Sequence, residues 1–116
     1  MKDMRYSLLL DFYGEVLSQN QRDMMDLYYN EDLSLSEIAD EVGITRQGVY
    51  DALHRAEEAL NGLESKLLLV ARFETLRRQR DDALSTLDDL HSYVKEDDRA
   101  SALIDEIRAR LTSFEI

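Results

Sequence analysis

No proline interrupts this chain, and its four glycines are scattered at Gly14, Gly43, Gly48 and Gly62. Such a chain lacks the residue that most reliably breaks a helix. Its apolar residues recur at three- and four-residue spacing, and nothing alternates at period two for long enough to propose a strand. The expectation is an all-α protein. Tyr6, Leu9, Leu10, Tyr13, Val16 and Leu17 mark one amphipathic helix over about 4–17. Ser18-Gln19-Asn20-Gln21 is a capping-box pattern, in which the serine oxygen and the glutamine side chain satisfy free amides. It opens a second helix over about 19–30, with Met24, Met25, Leu27 and Tyr28 inward. Of the adjacent rings, Tyr28 and Tyr29, one belongs in the core and one at the surface. Asn30-Glu31-Asp32 reads as a turn.

The segment from Ser34 to Leu60 is the most specific. Ser34 with Glu37 forms another capping box, so a short helix starts there. Gly43 stands where that helix must stop, because glycine takes the left-handed conformation that turns the chain. Thr45 then caps a third element from Arg46 onward. Ala39, four residues before Gly43, supplies the small side chain a close crossing requires. Ile38, Val42, Ile44, Val49 and Leu53 supply apolar positions around the turn and inside both helices. Cap, small residue, turn glycine and apolar spacing together predict a helix-turn-helix.

Beyond it, Leu60, Leu63, Leu67 and Val70 continue the stripe of the third helix. Phe73, Leu76, Arg80, Ala83, Leu87, Leu90 and Val94 then follow a heptad rhythm. The change of register between Val70 and Phe73 implies a change of packing partner. Arg80, inside an apolar stripe, is expected to snorkel or to bridge to an acid. Lys95 to Asp98 reads as a polar link, and a last helix is expected over about 99–114, with Leu103, Ile104, Ile107, Leu111 and Phe114 on one face. The chain thus divides into a helix-turn-helix head, 1–62, and a tail of long amphipathic helices, 63–116. So much apolar stripe beside so small a head favours a homodimer through the tail.

Charge narrows the function. Fourteen basic residues face 25 acidic ones, a net charge of −11. The head holds five bases and 13 acids, net −8; the tail holds nine bases and 12 acids, net −3. Such a surface repels polyanions at long range. The absence of cysteine excludes disulfides and thiolate metal sites. The longest apolar run, Leu67 to Ala71, is far short of the roughly 20 residues a spanning helix needs. The mixed, charged opening does not read as a signal peptide, so a soluble cytoplasmic protein is expected. His54 and His91 are the only histidines and stand in no ligand spacing. No glycine-rich phosphate loop is present. Neither an enzyme nor a bound metal or cofactor is expected.

Val49-Tyr-Asp-Ala-Leu-His-Arg-Ala-Glu-Glu-Ala-Leu60 resembles the recognition helix of bacterial sigma-factor region 4. Leu35-Ser-Glu-Ile-Ala-Asp-Glu-Val-Gly-Ile44 resembles the first helix of that motif. Leu10-Asp-Phe-Tyr13, Asp26-Leu-Tyr-Tyr29, Leu33-Ser-Leu-Ser-Glu-Ile-Ala39 and Thr45-Arg-Gln-Gly-Val-Tyr-Asp51 resemble the YlxM family more closely. These are small helix-turn-helix proteins of Gram-positive bacteria and their relatives. Their genes commonly lie beside that of the signal recognition particle GTPase. The resemblance covers residues 6–60 and implies a role in, or regulation of, that targeting pathway.

Two surfaces are candidates. The N-terminal residues of a recognition helix enter the major groove. Arg46, Gln47, Tyr50, Asp51, His54 and Arg55 should face outward there. Arg46 could pair with guanine and Gln47 with adenine, and Tyr50 could meet a phosphate or a thymine methyl. Arg46, Gln47, Tyr50, His54 and Arg55 are therefore the candidate nucleic-acid residues. However, Ser36 to Leu60 sets two arginines against six acids, where tight binders make about six to ten phosphate contacts. The other surface is Arg72, Arg77, Arg78 and Arg80, suited to an RNA backbone or an acidic groove. Its plainer reading is a solvated face paired with Glu74, Asp81 or Asp82. Two functions remain open. One is a non-enzymatic adaptor binding the signal recognition particle's GTPase or RNA, favoured by the acidic head. The alternative is a DNA-binding transcriptional regulator reading duplex DNA, favoured by the complete motif.

Overall fold

Side-chain caps decide where four of the six α-helices begin. In the computed structural model, which describes residues 2–114, helix α1 spans Arg5–Tyr13 and ends in a 3-10 turn, Gly14–Val16. Helix α2, Gln19–Met25, starts at a reciprocal capping box. The Gln21 amide donates to Ser18 Oγ at 3.2 Å, and the Ser18 amide donates to Gln21 Oε1 at 3.2 Å. Helix α3, Leu35–Val42, repeats the device with Ser34 and Glu37 at 3.1 and 3.0 Å. Hydrogen bonds from Ser34 hold the Glu37 carboxyl below its ordinary range. Helix α4, Arg46–Leu67, is capped by Thr45, whose Oγ1 accepts from the Gly48 amide at 3.0 Å. Helix α5 is Leu69–Tyr93, and α6 is Asp98–Thr112, capped by Asp97. The described residues contain no strand.

The second predicted helix is continuous to Asn30, but its last turn, Asp26–Asn30, widens to π geometry, with the Glu31 amide donating to the Asp26 carbonyl at 3.0 Å. Lys2 closes this end. Its ammonium donates to the carbonyls of Tyr28 and Leu33 at 2.7 and 2.6 Å, pairs with Asp32 at 3.2 Å, and lies 3.9 Å from the centroid of the Tyr28 ring. Tyr29, not the Tyr28 expected inward, is the buried ring, and Tyr28 is half-buried, because the π turn shifts the facing of the helix end.

The core forms around α4. Its buried stripe of Val49, Leu53, Ala56 and Leu60 meets Leu9, Leu10 and Tyr13 from α1, Met24 and Met25 from α2, and Ile38 and Ala39 from α3. Full burial of a large apolar side chain is worth about 1.5–3 kcal/mol. Gly43 joins α3 to α4 with φ +80°, and its amide and that of Ile44 both donate to the Ala39 carbonyl, at 2.9 and 3.2 Å. The helix-turn-helix is therefore formed. One detail differs from expectation: Val42 and Ile44 are 38% and 41% exposed, because the tight turn carries its flanking side chains outward.

The stripe expected to run unbroken through Val70 is interrupted. Helix α4 ends at Leu67, Leu68 takes a left-handed conformation with φ +57°, and α5 restarts at Leu69. A non-glycine residue there costs about 1–2 kcal/mol. Long-range hydrogen bonds favour the break. The Tyr13 hydroxyl donates to Glu64 Oε1 at 2.6 Å and accepts from the Leu69 amide at 3.1 Å. Glu64 Oε1 also accepts from the Val70 amide at 3.0 Å, so a distant carboxylate and phenol satisfy the first amides of α5.

Residues up to Val70 and residues from Ala71 form two compact units. In the second, α5 and α6 make a hairpin tied by Arg108 to Asp88 at 2.6 Å. Only Leu87 and Ile104 are buried there among the described residues. Leu76, Leu90, Leu103 and Ile107, expected as core stripe, are each close to half exposed. Arg80 pairs with Asp81 at 3.1 Å, one of the two arrangements expected for it. No helix among the described residues is long and apolar enough to cross a membrane.

Two glycines in the head make opposite predictions. Gly43→Val should lower unfolding free energy by about 1 kcal/mol or more, because a β-branched residue resists positive φ. Gly62→Ala lies within α4 with open space around a new Cβ, and should raise it by about 0.5–1 kcal/mol. Urea unfolding followed by circular dichroism measures both.

Tyr29 makes the stability pH-dependent. Burial, and the Glu57 carboxylate that accepts its proton at 2.5 Å, push the hydroxyl well above its ordinary pKa; Tyr13 is raised likewise by burial and Glu64. An unfolded tyrosine titrates near 10. Stability from these groups is therefore complete below about pH 10 and falls as pH rises above it, because the folded protein retains protons that the unfolded chain releases. Tyr29→Phe should cost about 1–3 kcal/mol at neutral pH and make the alkaline decline shallower. Chemical unfolding at pH values from about 7 to 11 measures both effects.

Candidate nucleic-acid interface

Thr45 and Gly43 together position α4, and its buried stripe determines which residues face out. At about 100° per residue, the positions opposite Val49, Leu53, Ala56 and Leu60 are Asp51 and Glu58, with Gln47 and His54 beside them. Arg46 and Tyr50 lie toward one flank and Arg55 toward the other. All six residues expected to face outward are exposed. The fold brings Arg46, Gln47, Tyr50 and His54 onto adjoining parts of the surface and places Arg55 apart from Arg46.

Much of this face is already satisfied within the helix. Gln47 Nε2 donates to Asp51 Oδ1 at 3.0 Å. The rings of Tyr50 and His54 lie nearly parallel, 3° between planes and 6.0 Å between centroids. His54 Nε2 lies 3.1 Å from Glu58 Oε1 and forms an ion pair when protonated. Arg46 and Arg55 have no hydrogen bond or ion pair among the described residues. For Gln47 to read an adenine bidentately, its amide must leave Asp51. Asp51 and Glu58, the most outward positions, would approach a duplex with like charge.

The second set of arginines sits on the first half of α5. Their spacing spreads them around the helix rather than along one line. Arg80 is tied to Asp81, and its side chain is only 18% exposed. One nitrogen of Arg78 lies 3.4 Å from Thr75 Oγ1. Arg72 and Arg77 make no hydrogen bond or ion pair among the described residues, so their guanidinium groups are open to a ligand.

Beside the recognition helix is a feature that spacing did not reveal. Tyr28, Leu35, Tyr50, Leu53, His54 and Glu57 line a groove of about 240 Å³. Tyr29 fixes Glu57 through the 2.5 Å hydrogen bond to Oε1. The only advance signal was that Glu57 lies one turn after Leu53 on the flank of the buried stripe. Its tyrosine partner, 28 residues away in sequence, gave none.

Comparison with known proteins agrees with this architecture. The family model described as "Putative helix-turn-helix protein, YlxM / p13 like" matches residues 1–107. The protein named UPF0122 protein YlxM of Bacillus subtilis (strain 168) is 40% identical over 106 residues, covering 91% of this chain and 93% of that one. A UPF0122 protein of Clostridium kluyveri is 38% identical over 105 residues, 90% of each chain. One of Acetivibrio thermocellus is 46% identical over 86 residues, 74% of this chain and 71% of that one. Membership of a helix-turn-helix family supports a regulatory, nucleic-acid-binding role. With its turn closed by Gly43 and α4 set across α3, the chain belongs to the YlxM / p13-like helix-turn-helix family.

Proposed function

We propose that this chain is a non-enzymatic, cytoplasmic regulatory adaptor that acts in the signal recognition particle pathway by binding the particle's RNA or its GTPase. The observation that carries the proposal is the charge order on α4. The helix that would enter a major groove presents Asp51 and Glu58 outermost, while Arg72 and Arg77 on α5 have no hydrogen bond or ion pair among the described residues. A phosphate backbone or an acidic protein groove suits those guanidinium groups. Arg78 and Arg80 belong to the same candidate surface, although each already has an intramolecular partner. The family resemblance supplies the pathway, through the placement of family genes beside the gene for the GTPase. A second reading is kept by Arg46 at the start of the recognition helix, which has no partner among the described residues: a transcriptional regulator reading DNA with Arg46, Gln47 and Tyr50, supported by His54 and Arg55.

Paired variants separate the two. If the adaptor reading holds, Arg77→Ala with Arg78→Ala should slow association with the particle's RNA or GTPase and flatten its salt dependence, while Arg46→Ala changes little. If the helix reads DNA, Arg46→Ala should cost about 1–3 kcal/mol and relax sequence preference, while the double variant changes little. Binding kinetics against both classes of partner measure this. Wild-type binding by both variants to every partner would sink both readings.

The head (1–62) and tail (63–116) divide the work in this proposal, with the tail hairpin pairing two copies into a homodimer. Its apolar face carries Leu90, Leu103 and Ile107 around a groove that also includes Ile104. Leu103→Glu with Ile107→Glu should convert a dimer to a monomer in sedimentation equilibrium, and an unchanged mass would exclude this face.

A further inference from the structure

We infer that the groove formed by Tyr28, Leu35, Tyr50, Leu53, His54 and Glu57 receives an arginine side chain from a basic protein partner. This goes beyond the adaptor reading and does not use the arginines of α5. Three observations carry it.

The first is the chemistry of the lining. Tyr50 and His54 form a stacked pair of nearly parallel rings, Leu35 and Leu53 are apolar, and Glu57 supplies a carboxylate. A guanidinium group is planar, weakly hydrated and able to stack on aromatic faces while pairing with a carboxylate, so it matches each of these surfaces. The second is the state of Glu57. It is half-buried and held in place because Oε1 accepts from the Tyr29 hydroxyl, and Oε2 has no partner among the described residues. A fixed, half-buried carboxylate with one open oxygen gains most from a charged donor.

The third is the sign of the charge. The groove's own lining carries one acid and no base, apart from the titratable His54, which is held by Glu58. The head as a whole is net −8; of the two bases on its part of α4, Arg46 lies one turn before Tyr50, and Arg55 adjoins His54 in sequence but projects from the other flank. The Tyr28 ring already carries the Lys2 ammonium, 3.9 Å from its centroid and paired with Asp32, so an incoming guanidinium is left Tyr50, His54 and Glu57. A nucleobase would also stack on these rings, but its phosphate backbone would have to approach an acidic head. Charge complementarity selects the protein cation.

The test uses the full chain, labelled with nitrogen-15, and a nine-residue peptide with one central arginine among neutral residues. Two controls are the same peptide with citrulline, which keeps the shape and loses the charge, and a single-stranded RNA of mixed sequence. The arginine peptide should shift the amides of Tyr28, Tyr50, Leu53 and Glu57, and the citrulline peptide should bind about tenfold or more weakly. Glu57→Gln keeps an acceptor for Tyr29 and should lose the same factor. Tyr50→Ala changes an exposed side chain and should weaken binding while leaving the melting temperature unchanged. Equal binding of arginine and citrulline, undiminished binding by Glu57→Gln, absence of shifts with the arginine peptide, or shifts at these amides with RNA alone would each overturn the inference.

Discussion

One seam organises the first unit. Helices α1, α2 and α3 all pack on the buried face of α4, at Val49, Leu53, Ala56 and Leu60. Ala56 is fully buried and Ala39 on α3 nearly so, which lets backbones approach closely where larger residues would hold them apart. Because α4 is gripped from three directions, its rotation about its own axis is set, and so is the identity of every outward residue. The outer face is a rigid surface whose chemistry depends on what the seam leaves uncovered. Loss of volume at Leu60 or Val49 would disturb the interface as much as the core, through that shared rotation.

What was legible in the sequence was local. The capping boxes at Ser18 and Ser34, the Thr45 cap and the left-handed Gly43 are interactions within four residues, and each stands where its residue pattern placed it. The break at Leu68 was not legible for a physical reason. No helix breaker marks it, and the groups that satisfy the freed amides, Tyr13 and Glu64, come partly from a helix more than 50 residues earlier. The π turn at Asp26–Asn30 is likewise closed by Lys2, from outside its own segment. On the candidate interface the outward residues could be named from periodicity, and pairs such as Gln47 with Asp51 follow from four-residue spacing. The groove beside them could not, because it needs Tyr28, Leu35 and Glu57 to converge from three elements.

Total charge is a poor guide to such a surface. At physiological salt the Debye length is about 8 Å, so an exposed ligand feels mainly the charges near its own contact. On α4 those are Asp51 and Glu58, the two positions farthest from the core. Intrahelical pairing softens the repulsion without removing it, since Gln47 is neutral and His54 carries charge only when protonated. The arginines of α5 differ in kind. Arg72 and Arg77 have no such partners among the described residues, so their binding to an anion would break no internal bond there. Under the adaptor proposal, a polyanion and a basic protein would meet different parts of this chain.

The second unit poses a separate problem of energy. Among the described residues it has two buried side chains, Leu87 and Ile104, to offset the ordering of two long helices. Ordering costs roughly 1–2 kcal/mol per residue in backbone entropy, and small units rarely supply a sufficient core by themselves. The Arg108–Asp88 pair adds little, since partly exposed pairs are worth about 0–1 kcal/mol. The unspent resource is the half-exposed row of Leu76, Leu90, Leu103 and Ile107. Covering that row would remove apolar surface from water on both helices at once and would lock their spacing. This is the physical reason to propose a second copy of the hairpin as its cover: identical faces present matching apolar rows, and a two-fold pairing repeats every favourable contact twice.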